Sequence, residues 1–119
     1  MDISYNNLTG MIPNLEINLT NNPEIHLSSN QFKGSIPSFL SQAVSLLMSN
    51  NKFSDLVSFL CNRSNSNILE MLDLSNNKLK GELPDCWNNL TSLQFVDLSN
   101  NKLSGKMEWV PFLKWRLWF

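Results

Sequence analysis

The residues whose types could support acid–base chemistry are His26 with Glu24, and the carboxylate pair Asp73 and Asp97. Glu24 lies two positions before His26, so both side chains would point to one face of a strand. General acid–base or nucleophilic catalysis also needs a nucleophile or an orienting carboxylate at defined geometry, and the sequence around His26 supplies neither. Asp73 and Asp97 would resemble a catalytic dyad, but their spacing has a structural origin. The sequence has no phosphate-binding glycine loop and no kinase signature, so we expect no enzymatic activity.

Two cysteines, Cys61 and Cys86, could form a disulfide or hold a metal ion. A zinc site is disfavoured because two thiolates do not complete a tetrahedral shell and the one histidine, His26, lies far away in the sequence. We therefore expect no metal and no cofactor. Whether the thiols pair depends on the elements that position them.

Those elements are encoded by a block of sequence that recurs five times. Each copy contains one asparagine, at intervals of 24, 21, 26 and 24 residues: Asn6, Asn30, Asn51, Asn77 and Asn101. Apolar residues lie five and three positions before each asparagine, which predicts a short strand with one buried face, and another lies two positions after it. The asparagine lies where the chain leaves the strand, where its amide can pair with backbone groups of the turn. A fixed period of this length predicts a solenoid, whose repeats are stabilised by their neighbours.

This pattern resembles the leucine-rich repeat family, whose repeat reads Leu-x-x-Leu-x-Leu-x-x-Asn. A continuation of the type Leu-x-Gly-x-Ile-Pro, present at 8–13, 32–37 and 79–84, resembles the plant extracellular subclass. The resemblance implies an α/β-type repeat solenoid over residues 1–106: a right-handed superhelix of four to five repeats with a parallel concave β-sheet. The glycine would permit a tight turn, and the proline would stop further pairing.

The third repeat departs from the subclass pattern. Asp55 replaces the glycine and Val57-Ser58 replaces the Ile-Pro pair, and the interval to the next asparagine is the longest of the four. We expect this repeat to be the weakest, with its extra residues in a loop at 62–67.

The repeat places the two cysteines at nearly equivalent positions. Cys61 follows Asn51 by ten residues and Cys86 follows Asn77 by nine. Stacked strands lie about 4.7–4.9 Å apart, and disulfides join Cα atoms about 4.4–6.8 Å apart. A disulfide between adjacent repeats is the favoured interpretation, and two buried thiols in a cytosolic protein are the alternative.

Composition disfavours several classes of partner. The net charge of −1 offers no basic stripe for nucleic acid. No apolar run reaches the roughly 18 residues of a membrane span. Met1 occupies a strand position and Asp2 follows it, which is unlike a signal peptide. We expect an internal segment or a truncated product of a longer protein that is extracellular or held at the plasma membrane.

The resemblance implies that ligand recognition belongs to the concave sheet. We expect the following residues to take part: His26, Ser28, Glu70, Met71, Asp73, Gln94, Phe95 and Asp97. Met71 and Phe95 are the most informative pair, because neighbouring exposed apolar side chains suit a partner protein. The alternative is that these are solvated strand positions, with Asp and Ser close to the repeat consensus.

Four Asn-x-Ser/Thr motifs favour passage through the secretory pathway. They begin at Asn7, Asn18, Asn62 and Asn89. The motif is short and arises by chance in an asparagine-rich chain, so the excess over chance is modest. Together with the cysteines, it favours a glycosylated extracellular protein.

Residues 107–119 break the repeat with an aromatic and basic tail. Three of the four tryptophans lie there. The tail could be a membrane-surface anchor, an unselected end created by an altered reading frame or splice site, or a cover for the last repeat. We favour the altered end, with partial covering of the last repeat as its consequence.

The resemblance implies part of the ectodomain of a plant cell-surface receptor, either a receptor-like protein or a receptor-like kinase. Its expected partners are a protein or peptide ligand and a co-receptor, in defence or developmental signalling. A secreted repeat protein that inhibits a cell-wall-degrading enzyme is one alternative. A truncated product without a ligand is another.

Overall fold

The computed structural model describes residues 1–61, 68–83, 86 and 90–105, together with the backbone of 117–118. Ten short strands account for most of its regular structure: β1 (Thr9–Met11), β2 (Glu24–His26), β3 (Gln31–Ser35), β4 (Ser45–Leu47), β5 (Lys52–Asp55), β6 (Met71–Asp73), β7 (Lys80–Glu82), β8 (Phe95–Asp97), β9 (Lys102–Ser104) and β10 (Leu117–Trp118). A 3-10 helix spans Ser38–Gln42, and α1 spans Val57–Leu60.

The four strands that precede asparagines, together with β10 from the tail, form one parallel sheet, here called the main sheet. Its order is β2-β4-β6-β8-β10, and Asp2 forms a parallel bridge to His26 beyond β2. The register places Leu46 opposite Ile25 and Leu72, and Val96 opposite Leu72. Equivalent residues of successive repeats therefore stack on one another. This confirms the predicted leucine-rich-repeat, solenoid-like arrangement of parallel strands.

The hydrophobic core runs through the stack behind the main sheet. Each of the strands β2, β4, β6 and β8 contributes its central residue and the residue directly after its end, all at most 3% exposed: Ile25, Leu27, Leu46, Met48, Leu72, Leu74, Val96 and Leu98. Beyond the asparagines, the Phe32 and Phe53 rings stack with centroids 6.4 Å apart. In the first repeat, where the sequence also predicted burial, Met1 is 67% and Leu8 is 40% exposed. That expectation was wrong, because within this chain the first repeat has a neighbour on one side only.

The residues after the asparagines form further parallel pairs that the sequence analysis did not predict. One sheet has the order β1-β3-β5, and a second consists of β7 and β9. We call these the flank sheets. Each pairs the repeat glycine with the apolar residue two positions after the next asparagine: Gly10 with Phe32, Gly34 with Phe53, and Gly81 with Leu103. These glycines have φ between +82° and +95°. The glycine therefore sits inside a strand rather than in the tight turn that the sequence suggested.

The flank sheets are interrupted at the third repeat, where Asp55 occupies the glycine position. Among the described residues, β5 and β7 form no strand pairing. The backbone bond between the two segments runs from the Lys78 amide to the Phe53 carbonyl at 2.9 Å, and the Phe53 amide donates to the Asn77 side chain. The Asp55 carboxylate instead accepts hydrogen bonds from the Val57 amide at 3.0 Å and the Ser58 hydroxyl at 3.1 Å, at the start of α1. The loop expected at 62–67 lies outside the described residues.

The tail contributes a strand to the main sheet. In β10, Leu117 pairs with Val96 and Trp118 with Asp97. The sequence analysis gave a cover for the last repeat as one interpretation of the tail but named no strand in it, because no asparagine block follows the fifth repeat. The proposed boundary between residues 106 and 107 falls outside the described part of the chain.

Candidate ligand-binding surface

Four of the five asparagines link the strand of their own repeat to the repeat before it. The Asn77 amide donates to the carbonyls of Leu74 at 3.0 Å and Ser75 at 3.2 Å in its own repeat, and to the Met48 carbonyl at 3.0 Å in the preceding one. Its Oδ1 accepts from the Phe53 amide at 3.1 Å. Asn30, Asn51 and Asn101 make the equivalent bonds to the repeat before their own. These asparagine hydrogen bonds thus fix which outward side chains of the main sheet become neighbours.

Asn6, the first member of the series, bonds differently. Its amide donates to the carbonyls of Ile3 at 2.8 Å and Ser4 at 2.9 Å, both within its own repeat. Its backbone N–H donates to Oδ1 of Asn30 at 3.1 Å. The first repeat is therefore tied to the second by the asparagine of the second.

Two rows of outward side chains run across the main sheet, and together they are called the recognition face. One row consists of Glu24, Ser45, Met71 and Phe95, and the other of His26, Leu47, Asp73 and Asp97. Successive side chains of a strand point to opposite faces of the sheet, so the residues on either side of each buried strand residue face away from the core.

Apolar side chains lie at the centre of the recognition face. Met71 is 40% exposed and stands directly opposite the half-buried Phe95. Leu47, also half-buried, stands between His26 and Asp73 in the other row. Leu47 is not among the binding residues predicted from the sequence, although it follows buried Leu46 in the strand and therefore faces outward. Its register position beside His26 was the available signal.

Carboxylates border these apolar residues. The Asp73 carboxylate accepts hydrogen bonds from the amide of Ser75 at 3.0 Å and its hydroxyl at 2.7 Å. Asp97 does the same with Ser99, at 2.9 and 2.7 Å. The two aspartates are register partners, so their spacing follows from the repeat, as the sequence analysis argued. Each carboxylate keeps acceptor capacity for a ligand, and the arrangement suits binding.

His26 lies beside Asp2 at one end of the recognition face. Its Nδ1 is 3.7 Å from the Asp2 carboxylate. Hydrogen bonds from the Ser4 hydroxyl at 2.6 Å and the Ser4 amide at 2.9 Å, with a smaller contribution from His26, hold the pKa of Asp2 below its usual value. A depression of about 430 Å³ opens here, lined by Asp2, Ser4, Tyr5, His26, Ser28 and Leu47.

The remaining predicted binding residues lie around the two rows. The Ser28 hydroxyl accepts a hydrogen bond from the Ser49 hydroxyl at 3.1 Å. Glu70 is exposed and precedes β6, and its carbonyl accepts from the amides of Gln94 at 2.8 Å and Phe95 at 3.1 Å. All eight residues named from the sequence therefore lie on or beside the main sheet. Their role in binding a ligand stays a prediction.

The two cysteines are joined by a disulfide away from the recognition face. Cys61 directly follows α1, and its Cα lies 5.1 Å from that of Cys86. The bond links the third repeat to the fourth, beside the interruption in the flank sheets.

Two of the four glycosylation motifs fall in described residues. Asn7 and Asn18 are both exposed. Oδ1 of Asn7 accepts a hydrogen bond from the Gln31 side-chain amide. Asn62 and Asn89 lie outside the described residues. Attachment of glycans stays a prediction at all four positions.

Within the residues that the structure describes, no helix is both long enough and apolar enough to cross a membrane. The same residues contain no group of three or more His, Cys, Asp or Glu side chains placed to hold a metal ion.

Comparisons with known proteins relate the chain to plant receptors. A family model described as Leucine Rich repeats (2 copies) matches residues 69–108, and one described as Leucine Rich Repeat matches residues 24–43. The chain is 32% identical over 93 residues to Receptor-like protein EIX2 of Solanum lycopersicum, an alignment covering 78% of the chain and 9% of that protein. It is 33% identical over 117 residues to Receptor-like protein 54 of Arabidopsis thaliana, covering 76% and 14%. The chain thus spans only about a tenth of the length of these relatives.

Proposed function

The chain belongs to the leucine-rich repeat family of plant receptor-like proteins, and on that premise we propose that its recognition face binds a protein or peptide ligand as part of a cell-surface receptor ectodomain. One observation carries the proposal: the register sets exposed Met71 beside Phe95, next to the carboxylates of Asp73 and Asp97. Apolar anchors bordered by polar groups are typical of sites that recognise proteins.

A binding role also fits the chemistry of the face better than catalysis does. His26 lies beside Asp2, and the Asp73 and Asp97 carboxylates each accept hydrogen bonds from a serine of their own repeat. A catalytic site would need one of these groups to face a nucleophile or a reacting atom. We propose that the chain is non-enzymatic and that it acts in defence or developmental signalling through its ligand and a co-receptor.

An extracellular or plasma-membrane setting is part of the same proposal. The relatives are named as receptor-like proteins. The Cys61–Cys86 disulfide suits an oxidising compartment, and exposed Asn7 and Asn18 could accept glycans.

A randomised linear-peptide display library, panned on the oxidised full chain, tests the proposal. We expect the enriched peptides to combine an aromatic or aliphatic residue with a lysine or arginine, matching the apolar anchors and the carboxylates. Met71→Ser combined with Asp73→Asn should weaken their binding about tenfold or more, since truncating an anchor typically costs over 1 kcal/mol.

The matched control is Lys33→Gln combined with Lys80→Gln, on the flank sheets, which should leave peptide binding unchanged. Melting temperatures of both double variants establish that they are folded. Peptides that bind the Met71/Asp73 variant as tightly as the unmodified chain would refute the proposal.

A further inference from the structure

The outward side of the flank sheets carries a second regular set of side chains. In each repeat these residues lie one and three positions after the asparagine, alternating with residues that point toward the core: Asn7, Thr9, Gln31, Lys33, Lys52, Ser54, Lys78, Lys80, Lys102 and Ser104. The inward residues between them include Phe32, Phe53 and Leu79, each at most 9% exposed. The set therefore faces solvent because its neighbours fill the core.

Half of this set is lysine, and the five lysines are here called the basic flank. The parallel register places Lys33 directly opposite Lys52, and Lys80 directly opposite Lys102. Paired strands lie roughly 4.7–4.9 Å apart, and like charges set opposite one another repel. Lys78 extends the group from a position two residues before Lys80.

None of these ammonium groups is neutralised within the described part of the chain. All five lysines are exposed, and among the described residues none of them lies within 4.0 Å of a carboxylate oxygen. The carboxylate nearest to Lys80 in sequence is that of Glu82, two positions further along β7. Asp55 directs its carboxylate to Ser35, Val57 and Ser58. Within the described part of the chain, no ion pair compensates the repulsion between these register partners.

Among the described residues the lysines lie on a different face from most of the carboxylates, with Asp55 and Glu82 as the acidic residues of the flank sheets. The main sheet and its margins carry Asp2, Glu24, Glu70, Asp73 and Asp97, and the described residues place no lysine or arginine there. The basic flank holds every described lysine, so the expectation drawn from the net charge of −1, that the chain offers no basic stripe, was wrong. The flank therefore attracts anions on a face separate from the recognition face.

We propose that the basic flank binds a linear acidic polysaccharide, a polymer with a carboxylate on each sugar. Lysine ammonium groups stepped along the stack match carboxylates repeated along an extended chain. The other members of the set, Thr9, Gln31, Ser54 and Ser104, are hydroxyl or amide side chains that can pair with sugar hydroxyls. Binding also relieves the repulsion between the lysine pairs.

The same residues disfavour other polyanions. The described outward set contains no aromatic side chain on which nucleic-acid bases could stack and no arginine for bidentate phosphate contacts. Met11, the register partner of Lys33, is the one exposed apolar side chain among the described strand residues of the flank sheets, whereas basic segments that lie on a membrane carry a whole apolar face.

Retention and affinity measurements with polygalacturonate test the proposal, using the oxidised full chain. We expect binding at about 20 mM salt and its loss at about 500 mM, because exposed charges are screened over roughly 4 Å or less at the higher concentration. The variant Lys33→Gln/Lys52→Gln/Lys80→Gln/Lys102→Gln should weaken binding about tenfold to a hundredfold. Polygalacturonate should also raise the melting temperature of the unmodified chain but not of this variant.

Two matched controls separate charge on the flank from charge elsewhere. Arginine at the same four positions keeps the charge and should keep the affinity within about threefold. Asp73→Asn/Asp97→Asn on the recognition face should not weaken binding. The proposal is overturned if the glutamine variant, shown to be folded by its melting transition, binds as tightly as the unmodified chain. Equal or tighter binding of double-stranded DNA, of anionic phospholipid vesicles or of neutral dextran would overturn it as well.

Discussion

At the scale of single residues, the repeated asparagine does the most to define this molecule. Asn30, Asn51 and Asn77 are each at most 9% exposed, and each pairs backbone groups from two repeats. Buried backbone donors and acceptors are costly when unpaired, so one amide side chain satisfies several groups that no strand ladder reaches.

Asn77→Ala measures this contribution. The substitution leaves the carbonyls of Met48 and Leu74 and the amide of Phe53 without their side-chain partner. We expect the free energy of unfolding to fall by about 3 kcal/mol or more, at roughly 1–3 kcal/mol per unsatisfied group. Urea unfolding followed by circular dichroism provides the measurement. Lys78→Ala, at the exposed neighbouring position, is the control and should stay within about 0.5 kcal/mol. Equal losses for the two variants would contradict this account.

At the scale of elements, the repeats form two kinds of sheet, and only one of them continues past the third repeat without interruption. The main sheet runs without interruption from β2 to β10, whereas the flank pairing stops between β5 and β7. Gly34 and Gly81 reach positive φ at no steric cost, while Asp55, at the equivalent position, uses its carboxylate to start α1. The Cys61–Cys86 disulfide spans the same junction between repeats. It therefore reinforces the place where backbone pairing is lost.

The disulfide is accordingly expected to stabilise the chain. Cys61→Ser/Cys86→Ser should lower the free energy of unfolding by about 2–5 kcal/mol, the usual range for a native disulfide in a small domain. The cysteines are 25 residues apart, so the loop that opens includes the whole third-to-fourth junction.

Chemical denaturation of the oxidised chain and the double variant gives the difference. Thermolysin digestion should further show faster cleavage of the variant near the junction. Intact mass after alkylation establishes the premise, because protein made through a secretory pathway should show no alkylated thiol. Two alkylated cysteines in that protein would remove the basis of the prediction.

At the scale of the whole molecule, stability depends on what covers the ends of the stack. A solenoid has no central core, so each repeat gains stability from its neighbours. At one end, Met1 and Leu8 remain largely exposed. At the other, the backbone of β10 pairs with β8 and covers the edge of the main sheet. A strand edge without such cover can pair with another copy of the chain.

Deleting residues 107–119 tests whether the tail covers the last repeat. We expect a lower melting temperature and more self-association, because β8 loses its backbone partner. Differential scanning calorimetry and light scattering measure the two effects. A chain in which a Gly/Ser segment of equal length replaces 107–119 should behave like the deletion, which separates the loss of pairing from the loss of length. Improved solubility with an unchanged melting temperature would instead support an unselected end.

The sequence by itself determined the parallel stack of the main sheet, its register, and the core from the second repeat onward. Asn77 with Leu72, Leu74 and Leu79 specifies a strand, a turn and a buried face within eight residues, and the repetition of that local pattern fixes the stacking. The same alternation was enough to place Met71, Asp73 and their equivalents on an outward face. It did not single out Leu47, whose significance depends on neighbours in other strands.

Only the tertiary structure decided which outward residues of the flank sheets became neighbours across repeats. These sheets pair the residue three positions after one asparagine with the residue one position after the next asparagine. Lys33 therefore lies opposite Lys52, and Lys80 lies opposite Lys102. No local pattern in the sequence contains that offset. The addition of β10 to the main sheet was likewise invisible, since residues 107–119 have no repeat signature. The physical reason is common to both: alternation is encoded within a strand, whereas strand partnership depends on how distant segments stack.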